Sequence, residues 1–202
     1  MAEVALALWG VYGIAALGVR VALHRRRTGS TGLVGVRARP GSLAWLAEVG
    51  QVVALGLGVA APVLDLLGAL EPIGALDRSG VHVAGLVLFG AGLAGVVASQ
   101  AAMGDAWRIG TDPAERTSLV TGGPFRHVRN PIYTALVPLL LGLALLVPNV
   151  VALASVVLCV VALELQTRLV EEPHLRRVHG DDYARYAARV GRFVPGMGRI
   201  RR

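Results

Sequence analysis

Residues 131 to 169 read PIYTALVPLLLGLALLVPNVVALASVVLCVVALELQTRL, and the fold turns on this stretch. Two apolar runs, Ile132–Val147 and Val150–Leu169, are separated by Pro148 and Asn149 alone. A connection that short makes consecutive helices antiparallel neighbours, so the stretch reads as a tight helical hairpin that enters and leaves on one side. The first run is below the ~20 residues of a comfortable crossing, so the reach of the hairpin tip is open at this stage. Toward the N-terminus three further runs, Val4–Leu23, Leu43–Leu70 and Val81–Met103, are long enough to cross. Pro62 inside the second predicts a tilt, a kink or an early end. The first is not a removable signal peptide, since it opens on Ala2 and Glu3 and its basic cluster follows the apolar run.

Composition agrees. The 202 residues are 54% hydrophobic and 16% charged, with mean hydropathy +0.61, more apolar than one soluble core of this length requires. The expected fold class is all-α, an integral membrane helical bundle of about five membrane-inserted helices. All 20 basic residues are Arg, and the net charge is +7. Arg25, Arg26, Arg27, Arg37 and Arg39 follow the first run, Arg108, Arg116, Arg126 and Arg129 the third, and a set from Arg176 to Arg202 the fifth. Between the second and third runs Glu71 and Asp77 face a lone Arg78. The positive-inside rule then predicts the N-terminus outside and the C-terminus, with the Arg-rich segments, in the cytoplasm. Beside apolar spans such charge serves topology and anionic headgroups, so membrane lipids are the expected partners and no nucleic acid is. The basic loop from Arg25 to Ser42 reads as a solvated orientation signal, and Glu48 and Gln51 either face a cavity or snorkel to the interface. Cys159, inside the last run, can form no intramolecular disulfide, and no Cys/His cluster has zinc spacing, so no metal is expected. Gly56, Gly58, Gly85, Gly90, Gly92 and Gly95 fit close helix contacts.

Polar information concentrates in two blocks, Gly104–Tyr133 and Arg168–Pro195, and the hairpin between them brings them together. In the first, Gly122-Gly123-Pro124 makes a turn, and Asn130-Pro131 opens a helix with Asn as N-cap and Pro at its first position. In the second, Glu164, Arg168, Glu171 and Glu172 share one helical face. They read either as an ion-pair ladder worth about 0.3–0.5 kcal/mol per pair, or as an Arg presenting a cation to an anionic substrate beside a carboxylate that binds hydroxyls or an amine.

Leu119-Val120-Thr121-Gly122-Gly123-Pro124-Phe125, then Arg129-Asn130-Pro131-Ile132-Tyr133, then Glu171-Glu172-Pro173-His174-Leu175, Gly180, Tyr183 and Tyr186 resemble the isoprenylcysteine carboxyl methyltransferases and their relatives among the phospholipid methyltransferases. The resemblance covers roughly the C-terminal half. It divides the chain into a three-span scaffold, residues 1–103, and a methyltransferase-like region, residues 104–202. It implies a cytoplasmic pocket for S-adenosylmethionine and a lipid-like or lipidated acceptor arriving from the bilayer. Carried over residue by residue, the cofactor contacts fall on Leu119, Val120, Phe125, Asn130, Pro131, Ile132, Tyr133 and the Glu171-Glu172 pair, Arg168 matches the arginine of the acceptor side, and Arg168 and Glu172 are the expected catalytic residues. Asn130 stands where the family often has His, which excludes a histidine acid/base there.

Methyl transfer from a sulfonium is an in-line displacement that needs alignment more than covalent catalysis. A carboxylate acceptor, the leading expectation, would need only a positioning cation such as Arg168. An amine acceptor, as in a phospholipid N-methyltransferase, would lose a proton to Glu171 or Glu172. Two competing readings are a membrane reductase of the sterol reductase type, with Arg126 and Arg129 on the 2′-phosphate of NADPH, and a non-enzymatic membrane scaffold.

Overall fold

The computed structural model describes residues 1–36, 38–110 and 118–200; Arg37, Arg116, Arg201 and Arg202 of the sequence argument lie outside them. The described residues form helices and connecting turns, with no strand among them. Five helices are apolar: α1 (Ala2–Thr28), α2 (Leu43–Leu66), α3 (Ser79–Met103), α4 (Pro131–Leu146) and α5 (Val150–Gln166). A π-helical turn, Thr167–Glu171, joins α5 to the polar helix α6 (Glu172–Arg189). α1, α2, α3 and the helix that begins with α5 are long and apolar enough to cross a membrane, and the chain is an integral membrane protein.

α3 packs along α4 and α2 along α5, so the hairpin of α4 and α5 is sandwiched by the earlier helices. One apolar core draws on all five, with Ala5, Tyr12, Ala54, Phe89, Leu139, Leu143 and Cys159 among its buried members. The α3–α4 contact is backbone on backbone. A Cβ on Gly92 would lie 2.6 Å from the Leu139 nitrogen, and one on Gly142 would lie 2.5 Å from the Gly85 oxygen. Small residues allow this approach, which supplies the dispersion contact that drives helix association where lipid is as apolar as the partner. Gly56 and Gly90, also read as contact residues, instead have open space beside them.

α4 has 16 residues, about 24 Å of rise, yet the hairpin spans the bundle. The Pro148 oxygen accepts from the Ile73 N–H at 2.7 Å, in the loop between α2 and α3. Buried Asn149 caps α5 by accepting from the Ala152 N–H at 2.9 Å and donates through Nδ2 to the Ala61 oxygen at 3.2 Å. The tip therefore reaches the level of the opposite loop.

α2 continues through Pro62 to Leu66. Proline lacks the N–H that would bind the carbonyl four residues back, and that carbonyl, of Gly58, accepts instead from Trp9 Nε1 at 2.9 Å. The indole replaces the missing bond, so the sequence break falls four residues later than the proline. The basic loop is also more than a solvated signal. Val34 N–H donates to Ile109 and Ile109 N–H to Gly32, at 2.9 and 2.8 Å, and Gly32 lies against His24 and Trp107. Glu48, half-buried near the start of α2, reaches back toward this loop, where its Oε2 accepts from the Ala38 N–H at 3.1 Å.

Replacing Gly92 by Val should cost about 1–3 kcal/mol through overpacking, read as a lower melting temperature in detergent. Gly90→Val, where an added Cβ meets nothing within 4 Å, should stay within about 0.5 kcal/mol of wild type.

Candidate functional site

The loop that follows α3 returns to the bundle through a 3-10 turn, Gly123–Arg126, in which Gly123 holds a positive φ of 57°. Phe125 is buried beneath this turn, and its oxygen accepts from Tyr186 Oη at 2.6 Å. The next residues pair with the segment after α6: Arg129 N–H donates to the Gly191 oxygen at 2.8 Å and Asn130 N–H to the Arg192 oxygen at 3.1 Å. Thr134 Oγ1 donates to the Phe193 oxygen at 2.9 Å.

α6 can reach back because it breaks at Gly180, where φ is 51° and ψ −124°. Glycine adopts that conformation without a Cβ penalty. The break lets Tyr183, Tyr186 and Ala187 form a small apolar cluster against Leu119, Leu175, Val190 and Ile200. The Gly180-Asp181-Asp182-Tyr183 pattern thus marks a bend that folds the tail over the loop.

Under that tail lies a buried ionic cluster. Glu172 Oε1 accepts from Arg129 Nη2 at 2.6 Å and from Arg192 Nε at 2.7 Å, and Oε2 accepts from Arg192 Nη2 at 2.9 Å. Arg129 also donates to the oxygens of Ala187, Val190 and Gly198, at 3.2, 2.5 and 3.1 Å. Burial opposes ionisation of Glu172, but the hydrogen bonds and charges of Arg192 and Arg129 outweigh it and hold its carboxyl below the usual carboxylate range. α6 is polar and lies beyond the span that ends at Gln166.

Glu171, one residue earlier, is half-buried and accepts through Oε1 from Tyr133 Oη. Burial pushes its carboxyl above the usual range and the Glu172 charge adds to that, while the Tyr133 hydrogen bond and the Arg108 charge act against it. The two adjacent carboxylates are driven apart.

The structure brings together Asn130, Pro131, Ile132, Tyr133, Glu171 and Glu172, as the hairpin argument expects. Leu119 is half-buried against the cluster of Tyr183 and Tyr186, and Val120 beside it in sequence is half-buried too. Asn130 does not cap α4 with its side chain; Nδ2 turns to the Arg192 oxygen at 3.3 Å, while Pro131 takes the first helical turn as expected. Arg168 stays on the rim, paired with Glu164 four residues back. Sequence reasoning missed Arg192 and gave Arg129 only a role in topology or in holding an NADPH phosphate. That last role does not fit, since Arg129 is committed to Glu172 and three carbonyls. The signal available was the position of Arg129 directly before Asn130-Pro131, where a charge must enter the bundle edge with its partner.

A polar cluster built from the two flanks of a hairpin defines the class as a helical membrane protein with a polar site at one end of its bundle. The chain belongs to the phospholipid methyltransferase family, whose profile matches residues 81–182, from the start of α3 into α6. It is a membrane methyltransferase of lipids by that membership. Comparison with curated proteins gives no match.

Glu172→Ala would leave Arg129 buried without its counter-ion, and stability should fall by about 3–5 kcal/mol; Arg168→Ala, which breaks an exposed pair, should cost about 1 kcal/mol or less. A depressed folded-state pKa contributes stability that is complete above the ordinary carboxylate value of about 4.3 and is lost as pH falls through the lower, folded value. Melting temperature in detergent should therefore drop in acid, and Glu172→Gln should flatten that limb.

Proposed function

We propose that the chain methylates the headgroup amine of a membrane phospholipid with S-adenosylmethionine, at the arginine-rich end of the bundle, which faces the cytoplasm. The observation that carries this reading is the divergence of Glu171 and Glu172. Where the environments of two titratable neighbours pull their proton affinities apart, the pair divides into distinct roles. Glu172 is held ionised by two guanidinium groups and acts as the clasp of the site. Glu171, destabilised as an anion, is suited to take a proton.

The residues present fit S-adenosylmethionine by the chemistry of their donors. The half-buried Glu171 carboxylate suits ribose hydroxyls, and the half-buried Leu119 and Val120 offer apolar side chains in the loop before α4. Asn130, Pro131 and Ile132 open the helix that carries Tyr133, and Phe125 is buried in the turn before it, with its oxygen held by Tyr186. When bound, the cofactor supplies an electrophilic methyl group on a sulfonium. Tyr133 orients Glu171 through their hydrogen bond, Glu171 accepts the proton released by the acceptor nitrogen, and the segment after α6 keeps water from the clasp.

A carboxyl acceptor, the leading expectation from the sequence, is the second reading. It is favoured by the cations Arg168, Arg176 and Arg177 that line a groove beside Glu172, and it would need no base. Arg168 is already paired with Glu164, which weakens its offer of a free cation. Within this reading residues 1–103 serve as scaffold and 104–202 carry the chemistry. The orientation, N-terminus outside, rests on the sequence: among the described residues every Arg except Arg78 belongs to a segment at the site's end.

Glu171→Ala should weaken S-adenosylhomocysteine binding about tenfold or more, the loss of a hydrogen bond to a charged group. Glu171→Gln should lower methylation of phosphatidylethanolamine about 10²-fold or more and remove the rise of rate with pH. Full turnover of amines by Glu171→Gln, with acids as the better substrates, would move the acceptor to carboxylates. Cysteines placed at Gly74 and Ser30 should label from opposite sides, Gly74 from outside; both labelling from outside would reverse the orientation.

A further inference from the structure

An open groove of about 420 Å³ runs along the foot of α6, lined by Arg168, Glu172, Pro173, Arg176 and Arg177. Its charge is one-sided. Both oxygens of Glu172 are taken from below by Arg129 and Arg192, so the one carboxylate in the lining is neutralised within the protein. Glu164 offsets Arg168 through an exposed pair and lies 3.6 Å from Arg192 Nη1. Arg177 Nη2 lies 3.1 Å from His174 Nδ1, and the exposed Arg176 makes no ion pair among the described residues. Among the described residues, the guanidinium groups of Arg176 and Arg177 therefore have no carboxylate to discharge them.

Depth decides which anion such a groove meets. The apolar run of α5 ends at Gln166, and Arg168 follows within one turn, which sets the groove at the edge of the hydrocarbon, where lipid phosphates lie. Guanidinium forks match phosphate oxygens in a bidentate geometry. The volume exceeds what a lone carboxylate would fill.

We infer that this groove is a headgroup subsite in which Arg176 and Arg177, with Arg168 at the rim, grip the phosphodiester of the acceptor phospholipid. The inference rests on the lipid-methylating reading above and adds two residues and a chemical class to it. Gripping the phosphate tethers the acceptor lipid at the foot of α6, the helix that Glu171 and Glu172 begin.

The test uses the full chain in a neutral detergent, as wild type and with Arg176→Gln and Arg177→Gln combined. Native mass spectrometry reads lipid retention without turnover. Wild type should retain phosphatidylethanolamine about tenfold or more better than diacylglycerol of the same chains, and the double variant should lose about tenfold on the phospholipid alone. Equal retention of the two lipids by wild type, or unchanged phospholipid retention in the variant, overturns the subsite. Glycerophosphoethanolamine and inorganic phosphate form further arms: displacement of the phospholipid by either at matched concentration would assign the groove to a soluble phosphate and overturn the lipid assignment. Methyl transfer to phosphatidylethanolamine and to a long-chain amine without phosphate separates this inference from the reading beneath it. A KM raised about tenfold for the phospholipid only supports the subsite. Unchanged KM with normal methylation sinks the subsite and leaves the function standing, whereas selective phospholipid binding with no methyl transfer does the reverse.

Discussion

The Glu172 carboxylate, shared between Arg129 and Arg192, is the constraint on which the functional end of the molecule depends. Those three residues come from the loop before α4, the start of α6 and the segment after it, so one ion cluster ties three separate chain segments. A charge placed there without its partners would have to be desolvated at a cost no apolar contact offsets. With both carboxylate oxygens and most of the Arg129 donors satisfied, the cluster fixes one arrangement of the tail over the loop. Tyr133, Asn130 and the turn at Gly123 inherit their positions from it.

The opposite end is held by neutral hydrogen bonds. Trp9 fills the acceptor that Pro62 releases on α2, and Asn149 uses its amide at both ends, as cap for α5 and as donor to Ala61. Each case answers the same demand, that a backbone group with no water available must find a partner inside the protein. Between the two ends the glycines at 85, 92 and 142 let α3 and α4 touch directly. Polar anchors at both ends and close packing between them suit a bundle that must hold a rigid site at its rim while its sides face lipid.

Much of this was legible in the sequence because the membrane imposes simple rules. Hydropathy located five helices, a two-residue connection forced the hairpin, and the hairpin forced Asn130-Pro131 and Glu171-Glu172 together. The failures concern residues whose partners are distant in sequence. Nothing near Pro62 says that Trp9 will replace its lost bond, and nothing near Glu172 points to Arg192, twenty residues later and past a bend at Gly180. Asn130 failed for a subtler reason: asparagine before proline fits a helix cap, but here the main chain and side chain both reach the Arg192 oxygen. Local capping rules gave way to a tertiary pairing.

The same contrast explains why the two acidic residues of one motif should not be treated as equivalent. Adjacent positions at a helix start point about 100° apart, so Glu172 turns under the tail toward the two arginines while Glu171 turns toward α4 and Tyr133. One carboxylate is surrounded by cations and stays ionised; the other is buried beside that charge, and its proton is held more tightly although the Tyr133 hydrogen bond and the Arg108 charge act against this. A pair of identical side chains thereby separates into a fixed charge and a titratable group by their different partners, where the π-helical turn Thr167–Glu171 passes into α6.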